Sequence, residues 1–485
     1  MALCHSSDTI AAIATAQGDG GIGIIRLSGP DALKALQAMF TKKAWQDSRQ
    51  AVKRKFVFTP RRLEHGWILD RTGRPLDEVM AVYLPGPHSF SGEDITEIHC
   101  HGGRTVTVAV LESALEHGAR MAEPGEFTRR AFLNGRIDLS QAEAVAEIIA
   151  APTAQGVYLA RNKLEGRLGQ SLETLRQKLD WFRAGLYLAI DFPDDAAEHS
   201  TKIKSEFQQK LAELCAEIEG LITAHDQSRL WREGALAVLA GKVNVGKSSL
   251  LNAMLGRKRA LVSNQPGTTR DFIEENINIA GVPVRLVDTA GLRQDADALE
   301  AEGMQLASAL LEQADIILLV QDILEVSRAS PLLPGQPSSQ EDFALWELFG
   351  PASGNNRIIV VLNKMDLQTE IVFPATLYGC PCVTVSAKLG SGLEALLKQI
   401  GASLKEQISG LDFGQEVAPS LRQKHKLGEV LAELNELSAE YNGNVPAELI
   451  SVRLDTAAAY LADVIGVSSP EQVLEQIFSE FCIGK

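Results

Sequence analysis

The segment "GKVNVGKS" at residues 241–248 restricts the fold of this chain more than any other stretch. It follows the apolar run "ALAVLAG", precedes a helical pattern and matches G-x-x-x-x-G-K-S in the required context. Backbone N–H groups of such a loop bind phosphate oxygens. Lys247 is placed to reach the β and γ oxygens of the nucleotide, and Ser248 is placed to bind a magnesium ion. The sequence therefore predicts an α/β domain that binds a nucleotide phosphate.

The surrounding region, residues 231–402, alternates strand and helix patterns. Such alternation predicts a doubly wound, mainly parallel sheet with right-handed crossovers and ligands at the carboxyl ends of the strands. The strand candidates are "ALAVLAG", "VPVRLVDTAG", "ADIILLVQD", "RIIVVLNKMD" and "CVTVSAK".

The flanking regions have two other textures. Residues 1–130 are rich in glycine and proline with short apolar runs, which indicates an α+β domain with one helix at about 104–117. Residues 131–230 and 403–485 are amphipathic and helical, so we expect one helical domain in two halves with the α/β domain inserted between them. The segment "SQAE" predicts a capping box of Ser140 and Glu143 at a helix start.

The net charge and the cysteine content of the chain limit which partners and which cellular location we expect. The formal charge of −15 argues against bulk binding of nucleic acid, although residues 42–62 carry eight Lys and Arg against one Asp. That segment is either a solvated loop or an RNA-contacting surface. We expect no membrane span and no export signal, and six cysteines without disulfide or zinc spacing indicate a reducing, cytoplasmic location.

Three further motifs close strands in the expected order: "DTAG" (288–291), "NKMD" (363–366) and "SAK" (386–388). The set resembles the GTPase superfamily. In that superfamily Asp366 would accept hydrogen bonds from guanine N1 and N2, which adenine cannot donate.

Hydrolysis requires residues beyond these motifs. Leu292 stands where Ras-like proteins have a water-orienting Gln. Asn244, together with the loop "SNQPGTTRD" (263–271), resembles the potassium-dependent branch, in which a cation neutralises charge between the β- and γ-phosphates. Glu300 and Glu302 are candidates for the general base; without the family pattern they are solvated carboxylates on a helix face.

Over nearly its whole length the chain resembles the MnmE (TrmE) family of tRNA-modification GTPases. The resemblance rests on "DTIAAIAT", "GGIGIIRLSG", "SFSGEDITEIHCHGG", "EPGEFTRRAFLNGRIDLSQAEAV", "PGTTRD" and the terminal "FCIGK". It implies modification of tRNA wobble uridine 34 at carbon 5 by an aminomethyl or carboxymethylaminomethyl group. A 5-formyl- or methylene-tetrahydrofolate would be the one-carbon source, and an FAD-containing protein, MnmG (GidA), the partner. It further implies a homodimer through an N-terminal folate-binding domain, and a heterotetramer or larger complex with MnmG.

The resemblance also assigns residues. The GTP-binding set would be Asn244, Val245, Gly246, Lys247, Ser248, Ser249, Ser263, Asn264, Gln265, Pro266, Gly267, Thr268, Thr269, Asp288, Thr289, Ala290, Gly291, Asn363, Lys364, Asp366, Ser386, Ala387 and Lys388. Potassium would be held by Asn244, Ser263, Gln265 and Thr268, and magnesium by Ser248 and Thr269. Glu300 would orient the attacking water. The folate site would use Arg26, Glu97, Arg136 and Lys485.

Some positions depart from the family pattern: Val243 replaces the usual Pro or Ala, Ser263 a Thr, and Arg136 a Lys. In the folate site Glu97 could pair with the amino-pyrimidine edge of the pterin, and either Arg26 or Arg136 could meet the glutamate tail. Ordinary alternatives are a strand-edge pair for Glu97 and a solvated turn for Arg136.

The ending "FCIGK" has three interpretations: a lipidation signal, a stray core cysteine, or a reactive thiol. Gly484 and Lys485 fit a prenylation box poorly. An apolar stripe at helical spacing ends at Phe481, just before Cys482, and Gly484 gives the backbone freedom to turn. We therefore expect an arm, held by the helical domain, that presents a catalytic Cys482 to a pocket of another domain.

Three functions compete. The first is an enzyme component in which GTP hydrolysis gates one-carbon chemistry on tRNA. The second is a regulatory switch of the ribosome-assembly type, and the third a folate-binding module with a regulatory GTPase domain. The flanking regions separate the first two, because a pure switch needs neither the "HGG" domain nor a C-terminal thiol.

Overall fold

A computed structural model describes residues 8–16, 18, 20–42, 56–191, 200–257, 275–288, 309–328, 357–367, 373–408, 417–442, 445–466, 471–479 and 481–484. The chain divides into two compact units. The first comprises Met1–Ile149, Ala160–Ile222 and Val417–Lys485, and the second Ala150–Leu159 and Thr223–Glu416.

The first unit contains a seven-stranded sheet in the order β3-β4-β5-β6-β2-β1-β7. Neighbouring strands are antiparallel except β1 and β7, which are parallel. The strands are β1 (Thr9–Ile13), β2 (Ile22–Ser28), β3 (Phe40–Thr41), β4 (Glu64–Leu69), β5 (Pro75–Leu84), β6 (Ile95–His101) and β7 (Ala119–Met121).

Three helices accompany this sheet: α1 (Ala32–Met39), α2 (Arg104–Glu116) and α3 (Glu126–Leu133). Alternate residues of the strands, such as Ile25 and Ile98, enter a core shared with α1 and α2. The residues between them face the other side of the sheet, where Arg26 of β2 stands directly opposite Glu97 of β6.

The helical part of the first unit has an apolar core to which four helices contribute, with Leu172, Leu214, Leu434 and Leu454 buried in it. The chain reaches this core from two segments far apart in sequence. The helices outside the sheets are α4 (Leu139–Ala150), α5 (Ala154–Leu164), α6 (Arg167–Asp191), α7 (Ser200–Glu233), α11 (Leu421–Asn442), α12 (Ala447–Ile465) and α13 (Glu471–Ser479).

The capping box predicted for α4 is wrong by two residues. Asp138 is the cap: its Oδ1 accepts the N–H of Gln141 at 2.7 Å, and Gln141 Oε1 accepts the N–H of Asp138 at 2.9 Å. Glu143 instead forms an ion pair with Arg422 at 2.7 Å, in the second half of the helical region. The carboxylate of Glu143, which the sequence spacing predicted as part of the helix cap, therefore pairs with a residue distant in sequence instead.

The second unit contains a seven-stranded sheet in the order β13-β14-β12-β11-β8-β10-β9. Its five central strands are parallel, whereas β9 and β13 are antiparallel edges. The strands are β8 (Ala235–Ala240), β9 (Glu275–Ile279), β10 (Val282–Asp288), β11 (Ile316–Asp322), β12 (Ile358–Asn363), β13 (Thr376–Leu377) and β14 (Cys380–Thr384). The five strand candidates from the sequence are the five parallel strands.

Both faces of this sheet are buried. Ala237 and Leu239 of β8 enter one core, and Leu236 and Val238 enter the other, which is why the strand reads as an unbroken apolar run. Described helices of this unit are α8 (Lys247–Arg257), α9 (Ile323–Arg328) and α10 (Leu393–Ile408), with a short 3₁₀ turn at Met365–Leu367.

The predicted multidomain α/β class is confirmed, with an α+β N-terminal part, helical segments on both sides of an insert, and a mainly parallel sheet in the insert. The exact domain limits stay a prediction; α10 runs through the proposed boundary between residues 402 and 403. Over the described ranges, no helix combines the length and the apolar character that crossing a bilayer requires.

Candidate functional site

The phosphate loop joins β8, the central strand of the second sheet, to the N-terminus of α8. Gly241 and Gly246 have φ values of +128° and +94°, in the region that favours glycine. A Cβ on Gly241 would lie 2.2 Å from the carbonyl oxygen of Val320, and one on Gly246 2.4 Å from Nδ2 of Asn363. The two motif glycines are thus required both by backbone conformation and by neighbouring groups.

Lys247 is buried and folds back over this loop. Its ammonium donates to the carbonyl oxygens of Gly241 at 2.8 Å and Lys242 at 2.7 Å. The side chain therefore follows the loop on which a phosphate would rest, at the positive end of α8.

Ser248 and Asp288 bring a hydroxyl and a carboxylate together. Ser248 Oγ donates to Asp288 Oδ2 at 2.5 Å, joining the first turn of α8 to the end of β10. Two hard oxygen donors beside a phosphate loop suit Mg²⁺, which binds through one or two protein oxygens together with the phosphates.

The base loop follows β12 and is fastened to the phosphate loop. Asn363 Nδ2 donates to the carbonyl oxygen of Val245 at 2.9 Å, and its Oδ1 accepts the N–H of Ala387 at 3.0 Å. One buried amide thus connects the phosphate loop, the "NKMD" segment and the "SAK" segment.

Asp366 lies beside Ser386, whose hydroxyl donates to Asp366 Oδ1 at 2.6 Å. This hydrogen bond lowers the pKa of Asp366 below its ordinary value. The carboxylate is therefore ionised at neutral pH and oriented, as an acceptor of two guanine N–H groups must be.

Sequence reasoning missed Asp322, the last residue of β11. Its Oδ2 lies 2.8 Å from the ammonium of Lys364, which also donates to the carbonyl oxygen of Asn244 at 2.9 Å. The available signal was its position: like Asp288, it is an acid that ends a parallel strand on the ligand edge of the sheet.

Several predicted residues lie outside the described residues, and their roles stay predictions. They are Ser263, Asn264, Gln265, Pro266, Gly267, Thr268, Thr269, Thr289, Ala290, Gly291, Glu300 and Lys485. The same is true of Leu292, of Glu302, of the segment 329–340 and of most of the basic stretch 42–62. Ser249 is exposed on the first turn of α8, and Val245 is buried in the loop.

A second polar site occurs in the first unit, on the face of the sheet opposite its core. Arg26 and Glu97 form an ion pair with nitrogen–oxygen distances of 2.8 and 2.9 Å. The guanidinium carbon of Arg26 lies 5.9 Å from the ring centroids of both Phe90 and Phe127. His99, two residues along β6, is 3.4 Å from the other oxygen of Glu97. Charged groups and aromatic rings thus meet here.

Arg136 belongs to the loop after α3, and its Nε donates to the carbonyl oxygen of Ser89 at 3.1 Å. Ser89 directly precedes Phe90, so Arg136 is connected to the ring that lies near Arg26. Arg136 is exposed in the bend after α3, so the alternative of a solvated turn also fits its position.

The C-terminal segment lies against the N-terminal part of the same unit. The N–H of Gly125 points to the carbonyl oxygen of Cys482 at 3.4 Å, and Arg26 Nη1 is 3.5 Å from the carbonyl oxygen of Gly484. Gly484 is buried, and a Cβ there would lie 2.3 Å from the carbonyl oxygen of Ile13. Cys482 itself is exposed.

Phe478 and Phe481 anchor this segment. Their rings are 5.3 Å apart and pack in a cluster with Leu139, Ala142 and Leu474. The apolar stripe predicted for the last helix is thus buried up to Phe481.

A buried ionic cluster supports α3, the helix that begins after Gly125. Glu126 accepts hydrogen bonds from Arg120 at 2.6 and 2.8 Å and from Arg130 at 2.9 Å, and Arg130 also contacts Asp8 and Glu93. Burial alone would raise the pKa of Glu126, but the hydrogen bonds from the two arginines outweigh it, so the pKa lies below its ordinary value.

The second sheet has the architecture of a P-loop GTPase, because it is mainly parallel and Asn363 joins its phosphate loop to its base loop. The relatives that the chain matches are named as GTPases.

The comparisons identify the family. Residues 9–136 match the family described as "GTP-binding protein TrmE N-terminus", and residues 139–482 match "MnmE helical domain". The chain is 48 % identical over 482 residues to the tRNA modification GTPase MnmE of Nitratidesulfovibrio vulgaris strain Hildenborough, covering 99 % of each chain. It is 41 % identical to the protein of that name from Lawsonia intracellularis and 40 % to that from Geobacter sulfurreducens, each over 99 % of this chain and 100 % of the relative. The chain belongs to the MnmE family, as the sequence predicted.

Proposed function

We propose that this protein is a potassium-dependent GTPase that modifies the wobble uridine of tRNA at carbon 5, together with an FAD-containing partner and a tetrahydrofolate one-carbon unit. The family supports the coarse part of this function, GTP hydrolysis in tRNA modification. The finer parts rest on the residues of the two sites.

In the GTP site each described residue has a distinct task. The side chain of Lys247 lies along the phosphate loop and compensates the charge of the β and γ oxygens of GTP. The carboxylate of Asp366 selects guanine by accepting hydrogen bonds from the N1 and N2 protons of the base. Ser248 and Asp288, with Thr269, would hold Mg²⁺, which would supply positive charge at the phosphates.

Potassium dependence is proposed from Asn244. This residue has φ +64° in the phosphate loop, which is an uncommon conformation for a non-glycine residue, and its side chain is exposed. Asn244, Ser263, Gln265 and Thr268 would hold the cation, and Glu300 would orient the attacking water in place of the missing glutamine at Leu292. The charge that the cation supplies at the phosphates would replace that of an arginine finger.

The one-carbon site is proposed at Arg26 and Glu97. A carboxylate fits the donor edge of a pterin, the rings of Phe90 and Phe127 fit its flat surface, and arginine fits the carboxylates of a glutamate tail. Arg136 and Lys485 would complete the folate site.

The main observation behind the proposal is that the C-terminal segment lies beside Arg26. The carbonyl oxygen of Gly484, two residues after Cys482, lies 3.5 Å from Arg26 Nη1, and the thiol of Cys482 is exposed. A GTPase that acts only as a switch needs no C-terminal thiol, so we assign Cys482 to the modification chemistry.

The remaining assignments follow the family resemblance. We propose a cytoplasmic homodimer formed through the N-terminal domain, and a heterotetramer or larger complex with MnmG that receives tRNA.

Nucleoside mass spectrometry of tRNA from cells that lack this protein tests the proposal. Loss of the carbon-5 modification of wobble uridine, restored by the wild-type chain, is the expected result. Unchanged tRNA together with accumulated ribosomal precursors would instead establish the regulatory switch.

A further inference from the structure

Lys364 of the base loop connects two loops of the GTP site. Its ammonium donates to the carbonyl oxygen of Asn244 in the phosphate loop at 2.9 Å and pairs with Asp322 at 2.8 Å. Lys364 and Asn244 have φ values of +67° and +64°. Such conformations are strained for non-glycine residues and persist only where surrounding contacts hold them.

Asp322 is fixed on both of its carboxylate oxygens. Oδ2 pairs with Lys364, and Oδ1 accepts the N–H of Leu324 at 2.9 Å at the start of α9. Its side chain is 15 % exposed, and its backbone is in register with Asn363 on the neighbouring strand. The acid is therefore a rigid, nearly buried anion behind the base loop.

We propose that Asp322 is a positioning residue for guanine-nucleotide binding. By holding the Lys364 ammonium against the carbonyl oxygen of Asn244, it joins the base loop to the phosphate loop before the nucleotide arrives. Asp322 has no part in recognising guanine or phosphate directly. The proposal extends the GTPase assignment, and only its potassium arm rests on the proposed function.

The expected effect is on affinity rather than on chemistry. Without the anion, the half-buried ammonium keeps one neutral acceptor. The two loops then keep the link through Asn363, and the nucleotide must supply the rest of their ordering. Ordering of loops at the moment of binding weakens affinity. The expected rise in Kd is about tenfold, which corresponds to about 1.4 kcal/mol.

Asp322→Asn separates the two roles of the side chain. Asparagine keeps an oxygen that can accept the N–H of Leu324, but it presents no charge to Lys364. In titrations with fluorescent GDP and GTP we expect Kd to rise about tenfold. The turnover number at saturating GTP should change less than twofold, and the melting temperature should stay near that of wild type.

The matched control is Glu325→Gln, which removes another acid from the same segment. Glu325 pairs with Lys242 at 3.2 Å in an exposed position, so its loss should leave Kd unchanged. The proposal is overturned if Asp322→Asn binds as tightly as this control. It is also overturned if only Asp322→Ala weakens binding, because Asp322 would then act solely as the cap of α9.

A potassium titration of GTP turnover adds a second readout. Because Lys364 holds the backbone of Asn244, Asp322→Asn should raise the half-saturating potassium concentration several-fold, while Glu325→Gln should not. If wild-type turnover ignores potassium altogether, the potassium assignment fails, and the Kd comparison alone decides the role of Asp322.

Discussion

Glu97 is held in an orientation that a bound heterocycle could use. Arg26 engages Oε1 of Glu97, and His99 lies 3.4 Å from Oε2. We expect 5-formyltetrahydrofolate to bind wild type and to lose roughly tenfold or more in affinity with Glu97→Ala, because a charge-assisted contact is removed and Arg26 is left unpaired. Isothermal titration calorimetry measures both.

Glu78→Ala is the matched control, since Glu78 lies on β5 of the same sheet and pairs with the exposed His65 at 2.7 Å. The affinity of Glu78→Ala for 5-formyltetrahydrofolate should equal that of wild type. A flat titration of the wild-type protein would remove the folate site from the account, and equal loss in both variants would show that Glu97 has no special role.

The ionisation of Glu126 should make the free energy of unfolding depend on pH. Its pKa in the folded chain lies below the ordinary value of 4.5, so its stabilising contribution is present above pH 4.5 and is lost as the pH falls through the folded pKa. Glu126→Gln should lower the free energy of unfolding by about 1.5–3 kcal/mol at pH 7, because it removes the charge of the carboxylate that Arg120 and Arg130 share, and leaves the two arginines only Asp8 and Glu93 as anionic partners. The difference from wild type should shrink below pH 4.5.

Urea titrations at several pH values measure this difference. Glu123→Gln, an exposed carboxyl three residues earlier, should change the unfolding free energy by less than about 0.5 kcal/mol at every pH. A difference between Glu126→Gln and wild type that is independent of pH would contradict the assignment.

At the scale of single residues, the sequence predicts best where chemistry fixes spacing. Lys247, Ser248 and Asp366 stand in motifs whose residue types bind phosphate, magnesium and guanine, and the structure places them around one edge of the sheet. Asp322 carries no motif, and its partner is 42 residues away. Such a pair depends on strand order, which residue spacing does not contain.

Among the elements, α3 and the C-terminal segment form a closely fitted contact at Gly125. Gly125 has φ +66°, and a Cβ there would lie 2.6 Å from the carbonyl oxygen of Phe478. Gly125→Ala should therefore displace the segment that carries Cys482. We expect faster removal of the C-terminal residues by carboxypeptidase, followed by mass spectrometry, and loss of tRNA modification with GTP turnover intact.

Gly135→Ala separates steric conflict from backbone strain. Gly135 has nearly the same conformation, with φ +65°, but no atom lies within 4 Å of its added Cβ. The variant should show the strain alone, about 1 kcal/mol in stability, with wild-type digestion and modification. Identical digestion of the two variants would argue that the segment is not held at Gly125.

Helices and strands are predictable from the sequence where their own residues determine them, and less so where distant residues do. Three of the five parallel strands, β8, β11 and β12, are apolar on both faces and form continuous runs in the sequence, whereas the edge strand β9, "ENINI", has the mixed pattern of a one-sided strand and was missed. The start of α4 was misplaced because Glu143 satisfies Arg422 rather than the helix N-terminus.

For the molecule as a whole, the proposal predicts that GTP turnover depends on the monovalent cation. Leu292 cannot orient water, and the ligands assigned to the cation suit an ion that neutralises phosphate charge. Turnover should rise by an order of magnitude or more when potassium replaces sodium at constant ionic strength. Phosphate-release assays in the two salts measure it, and equal rates would refute the potassium assignment.

The two compact units divide the work in this account: one binds GTP, and the other contains the Arg26–Glu97 site and the C-terminal segment. If GTP hydrolysis serves tRNA modification, the loss of either site must abolish the modification, although the two losses differ in their effect on GTP.

Complementation of a deletion strain with Asp366→Ala or with Cys482→Ser, read by nucleoside mass spectrometry of tRNA, tests this coupling most directly. We expect that neither variant restores the carbon-5 modification of wobble uridine, and that purified Cys482→Ser hydrolyses GTP at the wild-type rate. Full modification in cells that carry Cys482→Ser would contradict the chemical role of the thiol, and full modification with Asp366→Ala would contradict the coupling of GTP hydrolysis to tRNA modification.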